Sequence, residues 1–232
     1  SGPYEGHVRR PSDGTTPKRV AWIQCVGSRD VTVGNDYCSS VCCMYATKEA
    51  IVAKEHENDL APTIFFIDMR AFGKGFESFY TRAQTNYGVR YVRCMVSSLK
   101  ENPHNQNIVV RYVQESAGRK RVVEEEFDLV VLSVGLIARR GTKEIAEKLG
   151  IDCNRFGFAQ GQLTLPVAST KDGVFLCGAA SGPKDIPETV MESSAAAALC
   201  GELLASVRGT QVKIKEYPVP RDVRGEAPRI GI

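Results

Sequence analysis

The chain has 232 residues, 43% hydrophobic and 25% charged, enough for one large domain or one and a half with a self-supporting core. Its 30 lysines and arginines against 27 acidic residues leave a net charge of +3, which gives no ground for a nucleic-acid partner or an anionic membrane. No run approaches the ~18 apolar residues of a membrane span, and the opening stretch SGPYEGHVRRPSDGTTPKR lacks the apolar core of a signal peptide, so the expectation is a cytoplasmic chain without a membrane span. It starts at Ser1 rather than methionine, which reads as a processed product or a part of a longer polypeptide.

Residues 1–17, rich in Gly, Pro, Ser and Arg, read as a leading extended segment. Val20-Ala21-Trp22-Ile23 fits a buried strand, and Val41, Met44, Tyr45, Ile51 and Val52 share one face of a helix over about 41–56. A second buried strand, TIFFI at 63–67, ends at Asp68. Phe76, Phe79, Tyr80, Ala83 and Tyr87 follow helical spacing with Gly88 placed to stop the helix, and a third strand is expected over 89–96. This strand-helix-strand-helix-strand order implies a parallel sheet with right-handed crossovers.

Residues 108–114 and 121–127, separated by a turn-rich stretch, predict a hairpin or meander, and 128–134 a buried strand ending at Gly135. A short helix is expected over 142–149 and a buried strand, GVFLCG, over 173–178. A helix of small residues follows from Glu188 to about Val207, with Pro187 suited to its first turn. The tail from 209, with Pro218, Pro220 and Pro228, reads as an extended segment or a partner-binding arm.

Chemistry concentrates in the cysteines. Cys25, Cys38, Cys42 and Cys43 have the spacing C-x12-C-x3-C-C, while Cys94, Cys153, Cys177 and Cys200 are scattered in apolar surroundings and read as core residues. A disulfide suits a reducing compartment poorly, and a bond between adjacent Cys42 and Cys43 would close a strained ring. Zinc prefers paired C-x2-4-C loops around one small ion. An iron-sulfur cube is larger, so neighbouring thiolates can reach separate corners, and it suits the spacing better than zinc or inert buried thiols. The positive end of the helix starting near Val41, together with Arg29, would offset thiolate charge.

At the same strand end a dinucleotide site needs G-x-G-x-x-G; QCVGSRD keeps only Gly27, so the nicotinamide-type loop reads as lost. FGKGFESF at 72–79 is a weaker glycine signal for an anion, and GVFLCGAASGPKDIPETV delivers small residues to a helix start suited to a phosphate or a flavin edge. His7, His56 and His104 lie in polar stretches and read as solvated.

The segments GPYEGHVRRPSDG, IQCVGSRD, YCSSVCCMYATKEA, IDMRAFGKGFESFY, VRYVRC and GAASGPKDIPETV together resemble the A subunit of heterodisulfide reductase, a flavin-containing iron-sulfur protein. That resemblance implies an α/β, Rossmann-like parallel sheet of the thioredoxin reductase NAD-domain type with a β-meander, plus the C-terminal part of an FAD-binding domain. The division would run 1–17, 18–138, 139–208 and 209–232. It implies a [4Fe-4S] cluster on Cys25, Cys38, Cys42 and Cys43, and FAD lined by Gly178, Ala179, Lys184, Asp185, Ile186 and Pro187, although the aspartate that related reductases carry after the glycine is absent. The family's amino-terminal half, with the glycine loop for the FAD pyrophosphate, has no counterpart here, nor do its ferredoxin-type cysteine runs.

Expected partners are therefore the missing FAD-binding half and other iron-sulfur subunits, with a homodimer also allowed. The implied function is electron transfer in flavin-based bifurcation or confurcation, with no catalytic side chain of its own assigned. An interaction scaffold with a structural metal and a thiol-disulfide oxidoreductase using the vicinal cysteines are the alternatives.

Overall fold

The computed structural model describes residues 4–116, 118–219, 222 and 224–227. Ser1, Gly2 and Pro3 of the leading segment and Pro220 and Pro228 of the tail lie outside the described residues.

Four strands form a parallel sheet in the order β3-β2-β1-β7. They are β1 Arg19–Val26, β2 Ala61–Phe66, β3 Arg90–Arg93 and β7 Leu129–Val134, linked on one side by helices α1 Cys42–His56 and α2 Phe76–Tyr87. The first two crossovers step β1 to β2 to β3 in one direction, and β7 joins the other flank of β1. β1 is therefore where the winding reverses, the position at which α/β sheets form their crevices.

Alternation along β1 assigns its two faces. Val20 and Trp22 turn towards the helices and pack with Ala46, Ala50, Ile51, Leu60, Ile64 and Ala83. Ala21 and Ile23 turn the other way, into a core with Phe65, Val92, Val110, Tyr112 and Phe127. The second face is covered by an antiparallel meander of β4 Val96–Glu101, β5 Ile108–Ser116 and β6 Arg119–Phe127. Phe65 touches the Tyr112 and Phe127 rings at 5.0 and 5.7 Å. Each such aromatic contact is worth about 0.5–1.5 kcal/mol beyond area burial.

Glu125 of β6 fastens the meander to the sheet, accepting from Arg90 at 2.6 and 3.1 Å, from Arg19 at 3.1 Å and from the Tyr112 hydroxyl at 2.5 Å.

After β7 come α3 Thr142–Leu149 and α4 Ile186–Leu203, with a small core of Ala146, Ile151, Ala159 and Leu176. Asp185 and Glu188 cap α4 reciprocally, each side chain taking the other's backbone N–H. This start lies two residues before the predicted one. Much of α4 is bare: Ile186, Val190, Met191 and Leu203 are all exposed. Among the described residues no helix is long and apolar enough to cross a membrane.

Three expectations are corrected. The strand predicted over 89–96 is divided, because the chain leaves the sheet at Cys94 and starts the meander at Val96. GVFLCG forms no strand: it finds no sheet edge and makes a single bridge, Ala168 to Phe175, before a 3-10 turn at Gly178–Ala180. Of the scattered cysteines, Cys94 and Cys153 pack against the cores but Cys177 and Cys200 do not. Cys177 and Cys200 are exposed and Cys94 and Cys153 only half-buried, since the elements carrying the first two leave one side uncovered.

Candidate metal centre

β1 does not run straight to its end. Its pairing with β7 slips between Ile23 and Val26, and Cys25 takes a left-handed backbone with φ 61°. That irregularity brings the Cys25 thiol to the helix side of the sheet, against the first turn of α1. The chain then makes a small loop, with Arg29 N–H bonded to Tyr37 O at 2.8 Å and Asp30 and Asn35 exchanging two bonds. Tyr37 is anchored against Phe156 and Phe158, its ring centroid 4.6 and 5.8 Å from theirs, and donates its hydroxyl to Leu136 O at 2.8 Å. Cys38 follows at once.

Cys42 and Cys43 open α1, both buried. Val41, the N-cap residue, makes no side-chain cap bond, so the first-turn N–H groups and the positive end of the helix dipole are left facing the cysteines. Hydrogen bonding from the Cys25 and Cys43 side chains draws the pKa of Cys42 down to about 3. The same bonds, with burial, push Cys25 and Cys43 strongly up. Cys38 sulfur accepts the Ser40 N–H at 3.3 Å and interacts electrostatically with Cys25. The sequence-predicted set is thus gathered at one corner. Among the described residues no three His, Cys, Asp or Glu side chains converge closely enough to hold a metal ion.

Three residues that the sequence reading did not assign support this corner. Asp68, just beyond β2, takes Arg29 at 2.9 Å and Arg93 at 3.2 Å on its carboxylate, while its carbonyl oxygen lies 3.5 Å from Cys43 sulfur. Fully buried Ser39 accepts the Leu136 N–H at 2.9 Å. Gly135 packs so closely that a β-carbon there would lie 2.3 Å from Ser39 Oγ and 2.9 Å from Ser28 Cβ. A carboxylate at the carboxyl end of a strand flanking the cysteine strand is the one sequence signal that could have found Asp68.

Beside the cysteines lies an open cavity of about 630 Å³, walled by Val41 and Met44 of α1, Phe76 and Phe79 of α2, and Lys184, Asp185, Ile186, Pro187 and Val190 around the start of α4. Four of the six sequence-predicted flavin residues therefore line one space. Gly178 and Ala179 do not: Gly178 is buried and gives its N–H to Glu192 at 2.8 Å. The other oxygen of Glu192 takes Lys184 Nζ at 2.6 Å. The carboxylate of Asp185 is already occupied by the Glu188 N–H, and Pro187 has none to give. The mouth of α4 suits an apolar ring better than a phosphate.

No family model matches the chain. It is 48% identical over 209 residues to form 2 of the iron-sulfur A subunit of CoB–CoM heterodisulfide reductase from Methanopyrus kandleri, covering 89% of this chain and 31% of that protein. It is 46% identical over 199 residues to the A subunit of the H2/formate:CoB–CoM heterodisulfide,ferredoxin reductase from Methanococcus maripaludis, covering 85% and 30%. Against the A subunit of the ferredoxin/F420H2-dependent CoB–CoM heterodisulfide reductase from Methanosarcina acetivorans the identity is 42%, covering 89% and 26%. Among solved structures, LpdA from Mycobacterium tuberculosis overlaps at a TM-score of 0.43 and 14% identity over 84% of this chain and 35% of that one, too loosely to bear on function. The chain spans less than a third of the length of these curated relatives, and over that span it belongs to the family of heterodisulfide reductase A subunits.

Proposed function

We propose that this chain is the electron-transferring segment of a heterodisulfide reductase-like complex, in which Cys25, Cys38, Cys42 and Cys43 hold a [4Fe-4S] cluster beside an FAD ring. The observation that carries the reading is one of adjacency. Val41 and Met44, flanking the paired cysteines, wall the same cavity as Lys184 to Pro187. A ring in that space would lie against the helix turn that carries two of the ligands. The donor set fits the cluster: soft thiols at a helix start without a side-chain cap, with a guanidinium nearby. Val41, Met44, Phe76 and Phe79 fit the flavin's ring, Lys48, Lys74 and Lys184 stand on the same walls, and the main grip on the pyrophosphate would come from the family's amino-terminal FAD-binding half.

When bound, the flavin would handle electron pairs and the cluster single electrons, which is the chemistry bifurcation or confurcation requires. The chain's own residues would bind, orient and shield. Partners would be that FAD-binding half and further iron-sulfur subunits, and the segment boundary would fall near 138, where the sheet ends. The relatives' names, which include an iron-sulfur subunit, support the same choice over a structural zinc.

The test is oxygen-free purification with iron and acid-labile sulfide analysis and electron paramagnetic resonance, with and without Cys43→Ser. About four irons per chain and a reducible signal lost in Cys43→Ser are expected. Zinc alone, or thiols that never take up iron and sulfide, would overturn the reading.

A further inference from the structure

Arg29 carries a buried donor with nothing to donate to. Its side chain is 22% exposed, its Nη2 is bonded to Asp68 Oδ2 at 2.9 Å, and its Nη1 is buried without a hydrogen-bond partner. Leaving such a donor unmade costs about 1–3 kcal/mol, so a long side chain held this way points to an absent acceptor. The charge of Arg29 acts on Cys25 and Cys38, the two ligand candidates outside the helix. The backbone holds it there: φ is 54°, and its N–H is bonded to Tyr37 O, next to Cys38. Asp68 completes the device. One residue grips Arg29 by its carboxylate and meets Cys43 sulfur by its carbonyl, so the cation and one member of the thiol set share a single partner.

We propose that Arg29 is the positioning residue that sets the potential of the centre, donating its unpaired N–H to a sulfur of the loaded site while Asp68 keeps the fork in place. This rests on the cluster reading above. Reduction adds one negative charge to the centre, and an N–H donor bearing a full positive charge stabilises the reduced form more than the oxidised one. Removing Arg29 therefore makes the centre harder to reduce, whereas neutralising Asp68 leaves its charge uncompensated and makes the centre easier to reduce.

The experiment is a dye-mediated redox titration of the reconstituted 232-residue chain followed by electron paramagnetic resonance, comparing wild type, Arg29→Leu, Arg29→Lys and Asp68→Asn. Iron content is measured for each. The midpoint potential should fall in Arg29→Leu and rise in Asp68→Asn, and pulsed resonance should lose an exchangeable-proton coupling in Arg29→Leu. If Arg29→Leu does not load, Arg29→Lys decides: it keeps the charge without the fork, and loss of the proton coupling is the expected result. Full iron content with an unchanged potential, or both substitutions shifting it the same way, overturns the inference alone. A wild-type chain that takes up no iron overturns the cluster reading, and this one with it.

Discussion

Lys184 and Glu192 form an ion pair at 2.6 Å, with side chains only 12% and 17% exposed, and the other oxygen of Glu192 holds the Gly178 N–H. One carboxylate on the second turn of α4 thus ties down both ends of the loop that walls the cavity. Glu192→Ala strands a half-buried ammonium and a backbone donor, a loss of about 1–3 kcal/mol. The urea midpoint should fall and the Gly178 amide should exchange faster. An unchanged midpoint would mean that the loop is held by something else.

Gly135 lies where β7 ends against the cysteine loop. Gly135→Ala forces Ser39 and Ser28 aside, and overpacking of this kind costs about 1–3 kcal/mol. Since Ser39 neighbours Cys38, iron uptake should fall together with stability. Gly201→Ala is the matching control: it lies inside α4 with nothing within 4 Å of a new β-carbon, and should stabilise by up to about 1 kcal/mol. Thermal melts of the two variants should shift in opposite directions, while iron uptake should change in Gly135→Ala alone.

Glu125 gives the acid limb of stability. Burial raises its pKa, but the bonds from Arg90 and Tyr112 and the charge of Arg19 outweigh it, so the folded value lies below the ordinary 4.5. A carboxylate depressed by folding stabilises fully above its unfolded pKa and loses that contribution as pH falls through the folded one. The stability of wild type should therefore decline below about pH 4.5 more steeply than that of Glu125→Gln. Parallel acid-unfolding curves would remove Glu125 as the cause.

Val190 is exposed and faces the cavity, so a charge there should be tolerated by the fold but not by an apolar ring. Lumiflavin, a flavin without phosphates, should bind wild type and bind Val190→Glu about tenfold more weakly, equivalent to ~1.4 kcal/mol. Equal quenching of its fluorescence by both proteins would mean that the ring does not use this space.

The parallel half was legible because its signals are local. The run around Trp22, the spacing of Phe76, Phe79 and Ala83, and Gly88, which closes α2 at φ 65°, each need only a few neighbouring residues. The spacing of the four cysteines singled them out, and the electrostatic coupling of Cys25 to Cys38 and Cys42 shows that the fold brings them near one another. GVFLCG failed because an apolar run becomes a strand only if a sheet edge lies beside it, which its own residues do not encode. The same holds for Cys200, whose helix looks buried by composition while α4 leaves it in solvent. The cavity was hidden for another reason: Met44, Phe76 and Val190 meet only through the packing of three separate helices. Asp68 is an ordinary residue until tertiary contact sets its carbonyl 3.5 Å from Cys43 sulfur, and Ser39 until its hydroxyl meets the Leu136 N–H.

Cys25, Arg29 and Ser40 all adopt left-handed backbone, at φ 61°, 54° and 65°. Non-glycine residues pay for that conformation at about 1–3 kcal/mol each. The bend from the end of β1 to the start of α1 is accordingly a loaded spring, held cocked by the packing of the rest of the molecule.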